Sequence, residues 1–336
     1  MPPHPNDLIR DIPGVSIPGV PTEVLVAPDA FKGTLSAAEV AAAIGRGLTE
    51  AGVPVDLCPV ADGGEGTLTV LARALGAEIR TATVSDPLGR PIVASFGIAG
   101  DTAIVETAAA SGLDLGDLDA MNASTFGTGQ LIAVAVDAGA RTVLVGVGGS
   151  ATTDGGAGAI KALDGIEARL IVLCDVRTPF EDAARIYGPQ KGATTDQVRR
   201  LTRRLHTVAR RLPRDPRGVP MTGAAGGLSG GLWAAFGAEL VAGAPFVLDR
   251  LGFDVRLRRA RAVVTGEGRL DSQSLAGKAL SEVAVRARQM GVPSHAIVGS
   301  RALDTFGARI LDLQAVLEAG TLAQIEAAGE RLAGLL

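Results

Sequence analysis

The sequence holds few of the residues that carry covalent or metal chemistry. Among 336 residues there are two cysteines and three histidines. Cys58 and Cys174 each lie in an apolar, strand-like run, and no Cys or His cluster has metal-ligand spacing. Both are expected to be buried free thiols in a cytoplasmic protein. His4, His206 and His295 have no serine or cysteine nucleophile beside them, which argues against a histidine-based triad. Apolar runs are short. Leu131 to Val147, the most apolar region, contains Asp137 and Arg141, so no membrane span is expected. A net charge of -4 and a pI near 5.5 leave no basic footprint for nucleic acid. The beginning of the chain lacks the basic-then-apolar order of a signal peptide, and residues 1–21 read as a flexible, proline-rich arm. No G-x-x-x-x-G-K-[ST] occurs, so a P-loop enzyme is excluded as far as sequence can exclude it.

Lysine is scarce as well. Of 32 basic residues only four are lysines, and three of these, Lys32, Lys191 and Lys278, stand beside glycines in FKG, QKG and GKA. A compact ammonium on a flexible stem suits a phosphate or a developing charge in a way that a planar guanidinium does not always match.

What is present centres on Val143 to Ala159, VLVGVGGSATTDGGAGA. An apolar run reaches Val147, Gly148, Gly149 and Ser150 follow, and Asp154 precedes a second glycine cluster and a helix start. Glycines let backbone N–H groups approach an anion, and the positive end of the following helix favours it, so the stretch reads as a phosphate cradle. The alternative for such a loop is a tight turn packed against a neighbour.

In chain order, Glu23 to Pro28, a helix capped by Ser36 and Glu39, and Pro54 to Val60 form a β-α-β unit. Three strand-like runs between Glu78 and Glu106 are meander-like. A helix over Thr125 to Ala138 leads into the central stretch, and Arg169 to Cys174 forms a further strand. A long arginine-rich helix over Asp196 to Leu212 and the glycine-rich GAAGGLSGG follow. Strands at Ala262 to Thr265, His295 to Val298 and Leu313 to Val316 alternate with helices at the end. The expected fold is α/β: a flavodoxin-like, doubly wound parallel sheet over 22–62 and 260–336, interrupted by a second, mixed α/β domain over 63–259, with a cleft between them.

Strand ends of the first sheet carry Asp29, Lys32, Asp62, Glu65, Glu267, Arg269, Asp271 and Ser300, so the chemistry collects on one edge. Phosphoryl transfer needs cations and backbone donors for phosphates, carboxylates for Mg²⁺, and a group that orients the attacking hydroxyl. Asp175, Glu267 and Asp271 are candidates for the metal, and Asp62 or Asp154 for the proton of a hydroxyl. For any single loop carboxylate, a helix cap or a turn is the commoner fate. A competing motif is Gly146 to Ala151, which fits G-x-G-x-x-A with Asp175 ending the next strand, as in a dinucleotide-binding oxidoreductase.

Seven segments in order resemble the class I glycerate kinase family: APDAFKGTLSA from Ala27, VADGGEGT from Val60, GGSATTDGGAG from Gly148, CDV from Cys174, YGPQKGA from Tyr187, GAAGG from Gly223 and TGEGRLDSQSLAGK from Thr265. The resemblance implies ATP- and Mg²⁺-dependent phosphorylation of D-glycerate, with 2-phosphoglycerate as the usual product. Site roles follow with it. Lys32, Asp62, Asp154, Asp175 and Asp271 are expected to be catalytic, and Asp29, Glu65 and Arg269 to bind substrate. Gly148, Gly149, Ser150, Gly226, Gly227, Lys191 and Lys278 are expected to bind the nucleotide, and Glu267, Asp271 and Asp175 the metal. The expected partner is the small-molecule substrate glycerate, with neither nucleic acid nor membrane and with a homodimer left open. Three departures stand out. Only DGIEAR remains between Leu163 and Leu170, RTPFEDAAR replaces the segment usual after CDV, and Gln130 stands where Glu is usual. They fall in the inserted domain, so a related hydroxy acid as substrate, or a non-catalytic binding homologue, is the alternative.

Overall fold

The structure is a computed structural model that describes residues 22–275 and 277–336. The proline-rich arm expected at 1–21 lies outside the described residues. Among the described residues eleven strands form two sheets. In chain order they are β1 (Glu23–Pro28), β2 (Val55–Leu57), β3 (Glu78–Ser85), β4 (Pro91–Ala99), β5 (Thr102–Glu106) and β6 (Thr142–Gly146), then β7 (Arg169–Cys174), β8 (Glu239–Ala242), β9 (Ala260–Leu270), β10 (Ser294–Arg301) and β11 (Leu313–Glu318).

The first sheet has the order β11-β10-β9-β1-β2, and every pair in it is parallel. Parallel strands covered on both faces read as continuous apolar runs, which is why EVLVAP is buried from Val24 onward. Alternate side chains serve the two faces. Val24 and Val26 pack with helices Ala37–Glu50 and Leu322–Ala333, whereas Leu25 and Ala27 pack with helices Gly243–Arg250, Phe253–Leu257 and Ala279–Met290. The Ser36–Glu39 capping box forms as expected: Ser36 Oγ accepts the Glu39 N–H and Glu39 Oε2 accepts the Ser36 N–H.

The second sheet has the order β3-β4-β5-β6-β7-β8, antiparallel from β3 to β5 and parallel from β5 to β8. The three-strand meander is therefore present, and β5 to β8 add a parallel half to it. Helix Phe126–Asp137 and the short helix Ala157–Ala162 follow the expected places, and the arginine-rich helix spans Thr195–Ala209.

Two departures bear on the site. β9 continues through the GEGRLD segment expected to be a loop, because Ser300 and Arg301 of β10 keep pairing with Arg269 and Leu270. The β8 edge strand and the two helices from Gly243 to Leu257 were not foreseen; Val247 of the first helix packs with Leu71 and Leu173 of the second half. No helix among the described residues is long and apolar enough to cross a membrane. Cys58 and Cys174 are buried free thiols.

Candidate active site

β1 and β9 are neighbours, but the chain leaves them in opposite directions, β1 toward β2 and β9 toward β10. A crevice must open above their carboxyl ends. It is a cleft of about 400 Å³ whose walls include Asp29, Lys32, Asp62, Glu267, Arg269 and Lys278, with Asp271 and Ser300 also on it. The turn after β1 is closed by the Thr34 N–H on Phe31 O, which leaves Lys32 on the rim. Its Nζ lies 3.4 Å from Asp62 Oδ2, while Asp62 Oδ1 accepts the Gly64 N–H at 3.0 Å. Burial and the neighbouring Asp62 push the Asp29 carboxyl well above its ordinary range, burial raises Glu267, and Asp62 raises Lys32.

The second sheet turns its own carboxyl ends toward this edge. Past β6 and β7, Gly148, Gly149, Ser150, Asp175, Tyr187 and Lys191 line a smaller cavity of about 50 Å³. The two halves touch where it meets the cleft. The Gly148 N–H donates to Gly63 O at 3.2 Å, and a side chain at Gly148 would come within 2.5 Å of the Gly64 Cα and 3.3 Å of Asp175 Oδ2. Asp175, raised by burial and then by Asp62, faces Lys32 and Lys278, both of which favour its charge. Lys32, Asp62 and Asp175 thus meet at the junction of a large and a small cavity.

Several expected residues are placed differently. Asp154 is 5% exposed and its carboxylate is consumed by the fold. Oδ2 accepts the Thr125 N–H, the Thr125 hydroxyl and the Gly158 N–H, and Oδ1 accepts the Gly156 N–H. The anion at the start of helix Ala157–Ala162 is therefore the protein's own, which corrects the reading of this stretch as one continuous cradle and removes Asp154 as a proton acceptor. Asp154 also takes helix N–H groups on which a dinucleotide fingerprint would seat its pyrophosphate, which counts against the Gly146 to Ala151 match. Gly148 spends its N–H between the two halves. Gly226 and Gly227 adopt left-handed φ of 65° and 92° and pack on Thr152 and Phe180 respectively, so their lack of a side chain is used by loop packing, while their neighbour Ala225 lines the small cavity. Glu65 is exposed and lines neither cavity. Asp271 reaches the cleft, but Oδ1 accepts the Gln273 N–H and Oδ2 lies 3.5 Å from Arg269 Nε, so it serves the rim.

Two residues escaped the sequence reading. Tyr187, the sole tyrosine, lines the small cavity with its hydroxyl 2.7 Å from Thr178 Oγ1; its presence in YGPQKGA was the available signal. Glu106 ends β5 and accepts the Leu68 N–H at 2.6 Å, holding the helix Thr67–Leu75 that follows the Asp62 loop. Burial pushes its carboxyl up to about 7. Nothing in its sequence context marked it.

Among the described residues no group of three or more His, Cys, Asp or Glu side chains is arranged to hold a metal by itself. Glu267 Oε1 is nevertheless buried without a partner and the cleft carries Asp29 and Asp62 beside it. That donor set fits a Mg²⁺ held jointly with phosphate oxygens, since Mg²⁺ keeps several waters and commonly takes only one or two protein carboxylates.

The profile of the Glycerate kinase family matches residues 24–168 and 164–328. The chain belongs to the glycerate kinase family. The two matched pieces meet at 164–168, where DGIEAR shortens the sequence. The chain is similar to a glycerate kinase from Bacillus subtilis, 39% identical with 84% of this chain and 86% of the relative covered. It is likewise similar to the glycerate 2-kinase of Escherichia coli, 38% identical with 83% and 85% covered. The crystal structure of a protein assigned as glycerate kinase 2 from Salmonella typhimurium LT2 superposes with a TM-score of 0.77 at 33% identity, covering 94% of this chain and 98% of that one.

Proposed function

We propose that the protein transfers the γ-phosphoryl group of ATP to the 2-hydroxyl of D-glycerate, giving 2-phosphoglycerate and ADP in the cytoplasm. Family membership supports the reaction class. The observation that carries the assignment to this site is the junction of Lys32, Asp62 and Asp175 between a cleft of about 400 Å³ and a cavity of about 50 Å³. The cleft, with Lys32, Lys278 and Arg269, suits a polyphosphate; the small cavity suits a three-carbon acid.

In the transfer, the acceptor oxygen bonds to the γ phosphorus as that phosphorus parts from the β–γ bridging oxygen. ADP leaves with the electron pair. Asp175 takes the hydroxyl proton: it lines the acceptor cavity, and its raised proton affinity suits a base. Lys32 and Lys278 stabilise charge on the transferring group. When bound, Mg²⁺ held by Glu267 and Asp62 together with the phosphates supplies further neutralisation of that charge. Asp29 lines the same wall of the cleft.

We also read the first sheet as flavodoxin-like and doubly wound, with 63–259 inserted. Numbered within that sheet its order is 2-1-3-4-5, and helices cover both faces. The helices between Gly243 and Leu257 serve as the seam between the halves.

The reading is tested by ADP release in the presence of ATP, Mg²⁺ and D-glycerate. Wild type releases ADP only with acceptor present, and Asp175→Asn lowers kcat by about 10²–10⁴ with KM for ATP within a few fold. Equal rates for the two proteins would remove Asp175 as the base.

A further inference from the structure

Lys191 is 2% exposed, one of the largest fully buried side chains in the molecule. Its Nζ donates to Ser150 Oγ at 3.1 Å and to Thr152 O at 2.5 Å. An ammonium has three N–H groups. The third has no acceptor among the described residues, none of which places a carboxylate at ion-pair distance, and the side chain forms part of the wall of the small cavity. A buried cation whose neighbouring carboxylates, Asp154 and Asp175, stand beyond ion-pair distance is costly and invites a closer anion. The other walls offer polar contacts: Ser150, the Tyr187 hydroxyl steadied by Thr178, and Gln190. Asp175 stands in the same cavity, on the side of the junction.

We infer that this cavity is a carboxylate subsite in which Lys191 determines acceptor specificity, admitting a small α-hydroxy acid by its carboxylate and rejecting neutral polyols. The inference rests on the proposed acceptor chemistry and assigns Lys191 to the acceptor, not to the nucleotide. A carboxylate paired with Lys191 leaves the adjacent α-hydroxyl directed toward Asp175 and Lys32, so one contact fixes both which molecule enters and which oxygen reacts. A volume of about 50 Å³ is room for a carboxylate and its α-carbon, with the rest of the acceptor in the cavity's open mouth. A planar guanidinium would fill the cavity that the compact ammonium leaves open.

The test measures KM for both substrates in wild type and Lys191→Met, together with inhibition of wild type by small acids and alcohols. Expected is a rise of at least 100-fold in KM for D-glycerate with KM for ATP within threefold. Glycolate and lactate should compete with D-glycerate in wild type, and glycerol and 1,2-propanediol should not. A rise in KM for ATP instead, or unchanged KM for both, overturns the assignment. The wild-type inhibition series decides the matter if the variant fails to fold, and equal inhibition by acids and neutral diols overturns it. Should wild type turn over no D-glycerate at all, the functional reading fails separately; calorimetric titration of nucleotide-free wild type with D-glycerate then tests the subsite, and absence of binding overturns it.

Discussion

Lys191 carries the clearest pH signature of any single residue in the site. Its burial disfavours the ammonium and brings its pKa down to about 7, against the opposing pull of the Asp154 and Asp175 carboxylates that face it. Because the folded value is lowered, the cation is present below that pH and lost above it. KM for D-glycerate should therefore be flat below about pH 7 and rise by up to about tenfold per unit above it. Steady-state KM measured across that range checks this, and a profile flat on both sides would contradict it. The scarcity of lysine already marked Lys32, Lys191 and Lys278, since a composition written in arginine keeps lysine where a guanidinium does not fit. What spacing could not reveal was how each carboxylate would be used. Asp154 and Asp175 are both loop carboxylates that follow strands, and only the fold gives one to backbone N–H groups and leaves the other facing a cavity.

At the scale of elements, Asp154 works as a clamp. It joins the start of helix Phe126–Asp137, through Thr125, to the start of helix Ala157–Ala162, through Gly156 and Gly158. Asp154→Ala leaves buried donors unpaired and should destabilise the fold by about 3 kcal/mol or more, seen as a lower urea midpoint with an unchanged slope. A loss of turnover at wild-type stability would instead return Asp154 to catalysis. Helix starts were legible because Ser36 and Glu39 carry their own hydrogen-bonding partners within three residues. The extension of β9 was not, because glycine and charge in GEGRLD look like a turn until β10 supplies the pairing partner. The glycines of GAAGG were equally ambiguous: close packing of two loops and a phosphate cradle demand the same absence of a side chain. Which one applies depends on what lies opposite, and for Gly226 that is the Thr152 carbonyl.

Across the whole molecule, the alternation of strand and helix at the two ends of the chain and the meander between them were enough to separate two sheets. The order of segments was enough to suggest the family to which the chain belongs. A cleft between the two halves was expected, but which residues meet across it was not legible, since the contacts that bring Gly63 to Gly148 and Lys32 toward Asp175 join residues far apart in sequence. The shortened segment at 164–169 follows helix Ala157–Ala162 and runs into the first residue of β7, and it lines neither cavity, so its shortening leaves the proposed acceptor and nucleotide sites whole. The central claim is that this cleft phosphorylates D-glycerate at its 2-hydroxyl. Phosphorus NMR of the product formed from ATP, Mg²⁺ and D-glycerate tests it most directly. The account predicts a new monoester resonance split into a doublet by the single proton on C2; a triplet from a phosphorylated CH₂ group, or no ester signal beyond that of an acceptor-free control, would contradict it.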